Sequence, residues 1–309
     1  MSIPRKHHYL PQFYLERWTR NGELYRYVRP QGADGILDCK RRAPKAVAYE
    51  RDLYQMPNIA DAERSQFLEM EFFQRIDDRA AIALRKVDSQ QHTSPEDRVA
   101  LAQFMISLLH RSPSRLATMR TELAKQTEGA PYNGLSGATL DTALKSTANQ
   151  LLALLIGSKD GTKIVGDFRA FRIDTSRATR TLLTSDRPVT VSAQLISDDA
   201  FMILPYAPDR LLILTHLPDI ARSFASQRPN DLVTGINQAV VEQSEDIIVG
   251  ADDCAFRMVD RLFLRPQADR ILDSIGLIRR KSPLVRTEEH TTSVGSQASR
   301  AAPRPPFAA

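Results

Sequence analysis

Phe201-Met202-Ile203-Leu204-Pro205 and Arg210-Leu211-Leu212-Ile213-Leu214, joined by Tyr206-Ala207-Pro208-Asp209, decide the fold class of this chain. Each apolar run is too short for a helix and is bounded by turn residues, the pattern of a buried strand. Working upstream, Lys163 to Thr175 alternates with a period near two. Thr181-Leu182-Leu183-Thr184, the turn Ser185-Asp186-Arg187-Pro188 and Val189-Thr190-Val191 follow it. Together these runs predict an antiparallel meander. Downstream, Asn230 to Glu245 has helical spacing through Leu232, Ile236, Val240 and Val241, and Ile247-Ile248-Val249 reads as a last strand.

Before Gly161 the period is different. Leu68, Phe72, Ile76, Ala80, Ala83, Leu84 and Val87 recur at three- and four-residue steps, which predicts an amphipathic helix within Asp61 to Val87. Ser94-Pro95-Glu96-Asp97 is a helix start, with Ser94 as N-cap, Pro95 in the first turn and Asp97 completing a capping box. The apolar face of that helix runs through Val99, Ala102, Met105 and Leu109 to His110-Arg111-Ser112-Pro113, where proline predicts a break. Helical pattern resumes from Ser114 to about Gln126, a turn is expected at Gly129 to Gly134, and another helix at Thr139 to Ile156. Its run Leu151-Leu152-Ala153-Leu154-Leu155-Ile156 is read as a buried face, far short of the roughly 20 residues that span a bilayer. Near the start, Tyr9 to Val28 reads as extended, with Asn21-Gly22 marking a hairpin turn. The order is strands, helices, strands, helix. It predicts an α+β fold: an N-terminal β-hairpin, a central helical segment at about 61–157, an antiparallel sheet meander and a C-terminal helix. One compact domain is expected over 1–286, with a disordered tail over 287–309.

The 309 residues carry 42 basic and 37 acidic side chains, a formal charge of +5. Nine of the basic residues are lysines and 33 are arginines. Arginine grips phosphate and carboxylate in bidentate fashion, so nucleic acid or another phosphate-bearing ligand is a candidate partner. An Arg-rich codon bias is the simpler explanation of the count. No polybasic tract stands out. Cys39 and Cys254 are the only cysteines and have no zinc spacing, which fits a reducing cytoplasm. The opening has no apolar signal region, so a cytoplasmic protein without a membrane anchor is expected. No phosphate-loop, dinucleotide-binding, Ser-hydrolase, HExxH or EF-hand pattern is present, which removes most kinases, NTPases and common hydrolases.

Five residues are candidates for chemistry. In a strand His7 and His8 point to opposite faces, so only one imidazole faces inward. Either could serve as acid, base or ligand, or sit as a structural histidine bonded to backbone. Arg111, at a helix end before proline, could clamp an anion or stabilise the helix dipole. Asp186 could orient a histidine or hold a metal, against an ordinary turn role. Asn237 lies on an apolar helix face, where a buried partner or a cavity is expected.

Lys6-His7-His8-Tyr9-Leu10-Pro11-Gln12-Phe13-Tyr14-Leu15, Arg111-Ser112-Pro113, Thr184-Ser185-Asp186-Arg187-Pro188-Val189 and Asn237 in this order resemble the bacterial family called domain of unknown function 4238. A Leu-Pro-Leu-Ser-Pro element of that family is matched loosely by Leu204-Pro205-Tyr206-Ala207-Pro208. The resemblance spans roughly His7 to Val249 and implies no activity. It suggests one shared polar site: His8 and Asp186 as catalytic pair, with Arg111, Asn237 and His7 binding substrate. That site would suit hydrolysis of a phosphodiester or other anionic substrate, as in a defence-related nuclease. The cofactor stays open, a divalent metal among the options. The competing expectation is a non-enzymatic binding or sensing module whose motifs are folding determinants. There Arg111 would pair internally, with no open pocket around it.

Overall fold

The computed structural model describes residues 5–30, 35–57, 59–61, 64–127, 136–158, 167–192, 195 and 197–263. The expected turn at 129–134, the start of the strand at 163–166 and the tail at 287–309 lie outside these residues. The fold is α+β. Two four-stranded sheets organise the fold. β5 (Arg169–Asp174), β9 (Arg210–Thr215), β8 (Phe201–Ala207) and β7 (Thr190–Val191) form one antiparallel sheet in the order β5-β9-β8-β7. β8 runs on through Ala207, so its turn to β9 shrinks to Pro208-Asp209. Both turn carbonyls are used: Pro208 accepts from Leu182 N–H and Asp209 from Thr175 N–H. Every residue of β8 is buried, which is why that run is apolar without alternation.

The expected meander is split. β6 (Thr184–Ser185) leaves the first sheet and joins β10 (Ile248–Gly250), β2 (Leu24–Val28) and β3 (Asp38–Arg42) in the order β3-β2-β10-β6. Pairing with β10 takes β6 out of reach of its sequence neighbour β7. Gly250 packs tightly here: an added Cβ would stand 2.9 Å from Leu183 Cδ2 and 3.1 Å from the Asp252 carbonyl oxygen, so a larger residue requires Leu183 to shift. Asn21 and Gly22 both have positive φ, as a tight hairpin turn requires. The turn is closed by a single Arg20–Glu23 bridge, and β2 finds its partners in β3 and β10 instead.

The stretch read as extended contains a helix, α1 (Gln12–Glu16). Pro11 cannot continue a strand ladder, and its carbonyl accepts from Tyr14 and Leu15 N–H. Leu10, Tyr14, Leu15 and Trp18 then fall on one fully buried side. Ahead of α1, β1 (Lys6–His8) pairs antiparallel with β4 (Tyr49–Arg51).

The helical segment begins with a π turn over Leu68–Phe73 and becomes α2 (Gln74–Asp88). α3 (Pro95–His110) starts with the expected capping box, and α4 (Pro113–Thr127) follows the break at Arg111-Ser112. α3 is buried well beyond the stripe read from sequence, through Leu101, Phe104 and Leu108 as well, because α2 and α5 (Gly137–Gly157) pack on it. Leu152 and Ile156 of α5 face the core, whereas Leu151, Leu154 and Leu155 do not, Leu154 being 68% exposed. That corrects the reading of this run as a buried face. α6 (Pro218–Ala225), α7 (Pro229–Gln243) and α8 (Phe256–Leu262) complete the described chain. No helix among the described residues is long and apolar enough to cross a membrane.

Candidate functional site

Strand alternation separates the two histidines as expected. His7 is fully buried, stacks on the Tyr54 ring, and its Nδ1 accepts from Tyr54 N–H at 3.0 Å. His8 turns the other way and is partly exposed. Its ring donates to the Lys45 carbonyl, while Nε2 is buried without a partner. A carbonyl only accepts, so Nδ1 carries the proton and Nε2 keeps its lone pair. Burial, helped by the charges of Arg111 and Lys6, lowers the His8 pKa to about 4 and keeps the ring neutral near pH 7.

Glu69 of the π turn faces the same strand, and its carboxylate accepts the His8 backbone N–H. Flanking β1, Tyr9 N–H donates to the Ala48 carbonyl and Asp52 N–H to the Arg5 carbonyl, and in the alternating antiparallel ladder this register turns the His8 amide away from β4. Burial raises the Glu69 pKa to about 7 despite the nearby Arg111. About two turns on, Asp77 is raised to about 6 by burial, with Arg111 pulling the other way. A carboxylate at position 77, among Phe73, Ala80 and Leu84 of an apolar helix face, was a signal in the sequence that pattern reading passed over.

Arg111 is 0% exposed. Its Nε donates to the Tyr9 carbonyl at 2.8 Å and its Nη1 to Asp77 at 3.0 Å, while Nη2 has no partner. The Tyr54 hydroxyl donates to the Arg111 carbonyl at 2.7 Å. His7, His8, Tyr54, Glu69, Asp77 and Arg111 therefore form one cluster, carrying three of the five residues singled out from sequence.

Asp186 and Asn237 are tied elsewhere. The Asp186 carboxylate accepts from Glu245 and Ile247 N–H, bracing the link between α7 and β10. Burial, then repulsion from Asp246, raises its pKa to about 7. The local turn is made by Ser185, whose hydroxyl accepts from Arg187 N–H. Asn237 accepts from Leu183 N–H at 2.7 Å and donates to the Thr181 carbonyl at 2.8 Å. No hydrogen bond or ion pair among the described residues joins either residue to His8 or Arg111.

Tyr14 links the remaining motifs. Its hydroxyl donates to the Pro205 carbonyl at 2.6 Å and lies 2.5 Å from Thr184 Oγ1. A phenol has one proton and Pro205 takes it, so Thr184 is the donor to Tyr14. The opening motif thus touches the Arg-x-Pro element through Tyr9, and the Thr-Ser-Asp and Leu-Pro elements through Tyr14.

Among the described residues no group of three or more His, Cys, Asp or Glu could hold a metal. The family model described as "Protein of unknown function (DUF4238)" matches residues 6–253. No curated protein and no solved structure matches.

Proposed function

The chain belongs to the DUF4238 family, and on that premise we propose that it is a non-enzymatic binding module whose shared motifs hold the fold together. One observation carries the reading: His7, Arg111, Asp186 and Asn237 are all at most 1% exposed, and their polar atoms are spent mainly on internal backbone and one internal ion pair. A catalytic or substrate-binding group must come within hydrogen-bond reach of its substrate, and these side chains present nothing to solvent. The partner chemistry we favour is phosphate-bearing, a nucleotide or nucleic acid, given 33 arginines among 42 basic residues. A bacterial cytoplasm belongs to the same reading, since Cys39 and Cys254 are both free thiols.

A second reading, hydrolysis of a phosphodiester or other anionic substrate by a nuclease-like defence protein, has one observation in its favour. His8, neutral with an unpartnered Nε2, gives its backbone N–H to Glu69, a carboxyl held near pH 7. Groups pushed apart in this way suit opposite acid and base roles. His8 would take a proton from the attacking water as the new P–O bond forms. Glu69 would give its proton to the leaving oxygen as the old P–O bond breaks. Arg111 as anion clamp, Asp186 as orienter, and Asn237 and His7 as positioning groups belong to this reading too.

The deciding experiment incubates the full chain with labelled DNA, RNA and bis(p-nitrophenyl) phosphate, with and without Mg2+ or Mn2+, beside His8→Ala and Glu69→Gln. The binding reading expects no turnover that separates the three proteins. Turnover lost in both variants, each still folded by circular dichroism, overturns it in favour of the hydrolase.

A further inference from the structure

A groove of about 200 Å³ opens between the π turn, α2 and α3. Phe72 lines it from the turn and Phe67 from the residue just before it, Arg75, Ile76 and Arg79 from α2, and Gln103 from α3. Phe67 leaves 42% of its surface in water, a large aromatic without a full partner. Arg75 and Arg79 are exposed, and among the described residues neither makes a hydrogen bond or ion pair. Other arginines of the fold are engaged: Arg111 with Asp77, Arg17 and Arg210 with Asp88, Arg222 with Asp219. Two like charges four residues apart lie on one helix face and repel, which costs the helix stability. An anion seated between them reverses that term and takes up both guanidinium forks.

We propose that this groove binds a nucleotide, its base against Phe67 and Phe72 and its phosphate between Arg75 and Arg79. Flat heterocycles stack on aromatic side chains whatever their sequence. Guanidinium groups match phosphate oxygens in pairs. The Gln103 amide offers both a donor and an acceptor to the polar edge of a base. The volume admits a base, and the phosphate lies at the rim where the arginines reach solvent. A free mononucleotide and the 5′-phosphorylated end of a single strand present the same chemistry. This rests on the binding reading above, but its residues lie outside the His8–Glu69 cluster.

Calorimetry on the full chain tests it with the four 5′-mononucleotides, their nucleosides, inorganic phosphate, decanoate and 5′-phosphorylated oligonucleotides. At least one mononucleotide is expected to bind, with its nucleoside and inorganic phosphate each at least tenfold weaker. Arg75→Gln/Arg79→Gln and Phe67→Ala each raise Kd at least tenfold without lowering the melting temperature, because all three side chains are exposed. A strand binding more tightly than the mononucleotide makes the ligand a nucleic-acid end, and the reverse order makes it a free nucleotide; either upholds the site. Equal binding of nucleoside and nucleotide, preference for decanoate, or variants that bind as wild type overturn it. Absence of all nucleotide binding overturns the groove and leaves the module reading standing, whereas turnover lost in His8→Ala does the opposite.

Discussion

Arg111 Nε donates to the carbonyl oxygen of Tyr9 at 2.8 Å, joining the end of α3 to the residue that follows β1. The bond closes a loop of contacts. Tyr54 holds the Arg111 carbonyl with its hydroxyl, stacks on His7 and donates its amide to the His7 ring. Residues 7, 9, 54 and 111 are remote in sequence and fix one another in space.

Arg111→Lys is expected to destabilise the fold by about 3 kcal/mol, since breaking a buried charge pair leaves the partner uncompensated. A single ammonium cannot replace a planar fork that serves the Tyr9 carbonyl and Asp77 together. Urea unfolding at neutral pH measures it. A loss under about 0.5 kcal/mol, the range of ordinary surface changes, would show that the bridge does not hold the fold.

Tyr14→Phe and Thr184→Val should each cost about 1–2 kcal/mol, because each strands a buried polar partner. The double variant should cost less than the sum by about 1 kcal/mol, as expected for residues in one network. Thermal melts of the four proteins complete the cycle. Strict additivity would mean that the Tyr14 hydroxyl does not couple the opening motif to β6 and β8.

Glu69 makes the fold sensitive to pH in a predictable direction. Its folded pKa of about 7 lies above an ordinary glutamate near 4.3. Between those values the folded state keeps a proton that the unfolded state has lost, so stability is full below pH ~4 and declines as pH rises toward ~7. His8, lowered to about 4, works in the opposite direction across pH ~4 to ~6.5. The difference between wild type and Glu69→Gln isolates the carboxyl. It should shift by about 2 kcal/mol in favour of Gln between pH 4 and pH 8. Parallel stability curves would contradict the burial of that group.

Asp88 closes α2 by accepting from Arg17 at 2.9 Å, Arg210 at 2.7 Å and the Tyr206 hydroxyl at 3.1 Å. Burial pushes its pKa up, but the two arginines and the phenol outweigh this and hold it below the ordinary carboxylate range. The stabilisation is therefore present above pH ~4 and is lost as pH falls through the lowered folded value. Asp88→Asn should cost about 2 kcal/mol at pH 7. The gap from wild type should close near pH 2, read by thermal unfolding. A gap independent of pH would mean that the charge of Asp88 contributes nothing.

Much of the architecture was legible where one local rule sufficed. The capping box at Ser94 and Asp97, the break at Arg111-Ser112 and the apolar pair β8 and β9 each depend on neighbours within a few residues. α1 was not legible as a helix, because Pro11, adjacent aromatics and a length of five residues resemble a strand until the core turns Tyr14 and Leu15 inward. Three of the five candidate residues come into one cluster, yet Glu69 was missed. Its importance lies in facing the unused amide of His8, a relation between distant segments.

The sequence by itself determined the α+β order, the family and the split of His7 from His8, since periodicity, turn chemistry and strand alternation are local properties of the chain. Tertiary structure alone decided what the motifs are spent on. Whether an arginine clamps a ligand or a backbone carbonyl depends on which groups arrive beside it from elsewhere, and here Tyr9 and Asp77 arrive at Arg111. Burial then set the charge states of His8 and Glu69, because withdrawal from water disfavours whichever form is ionised.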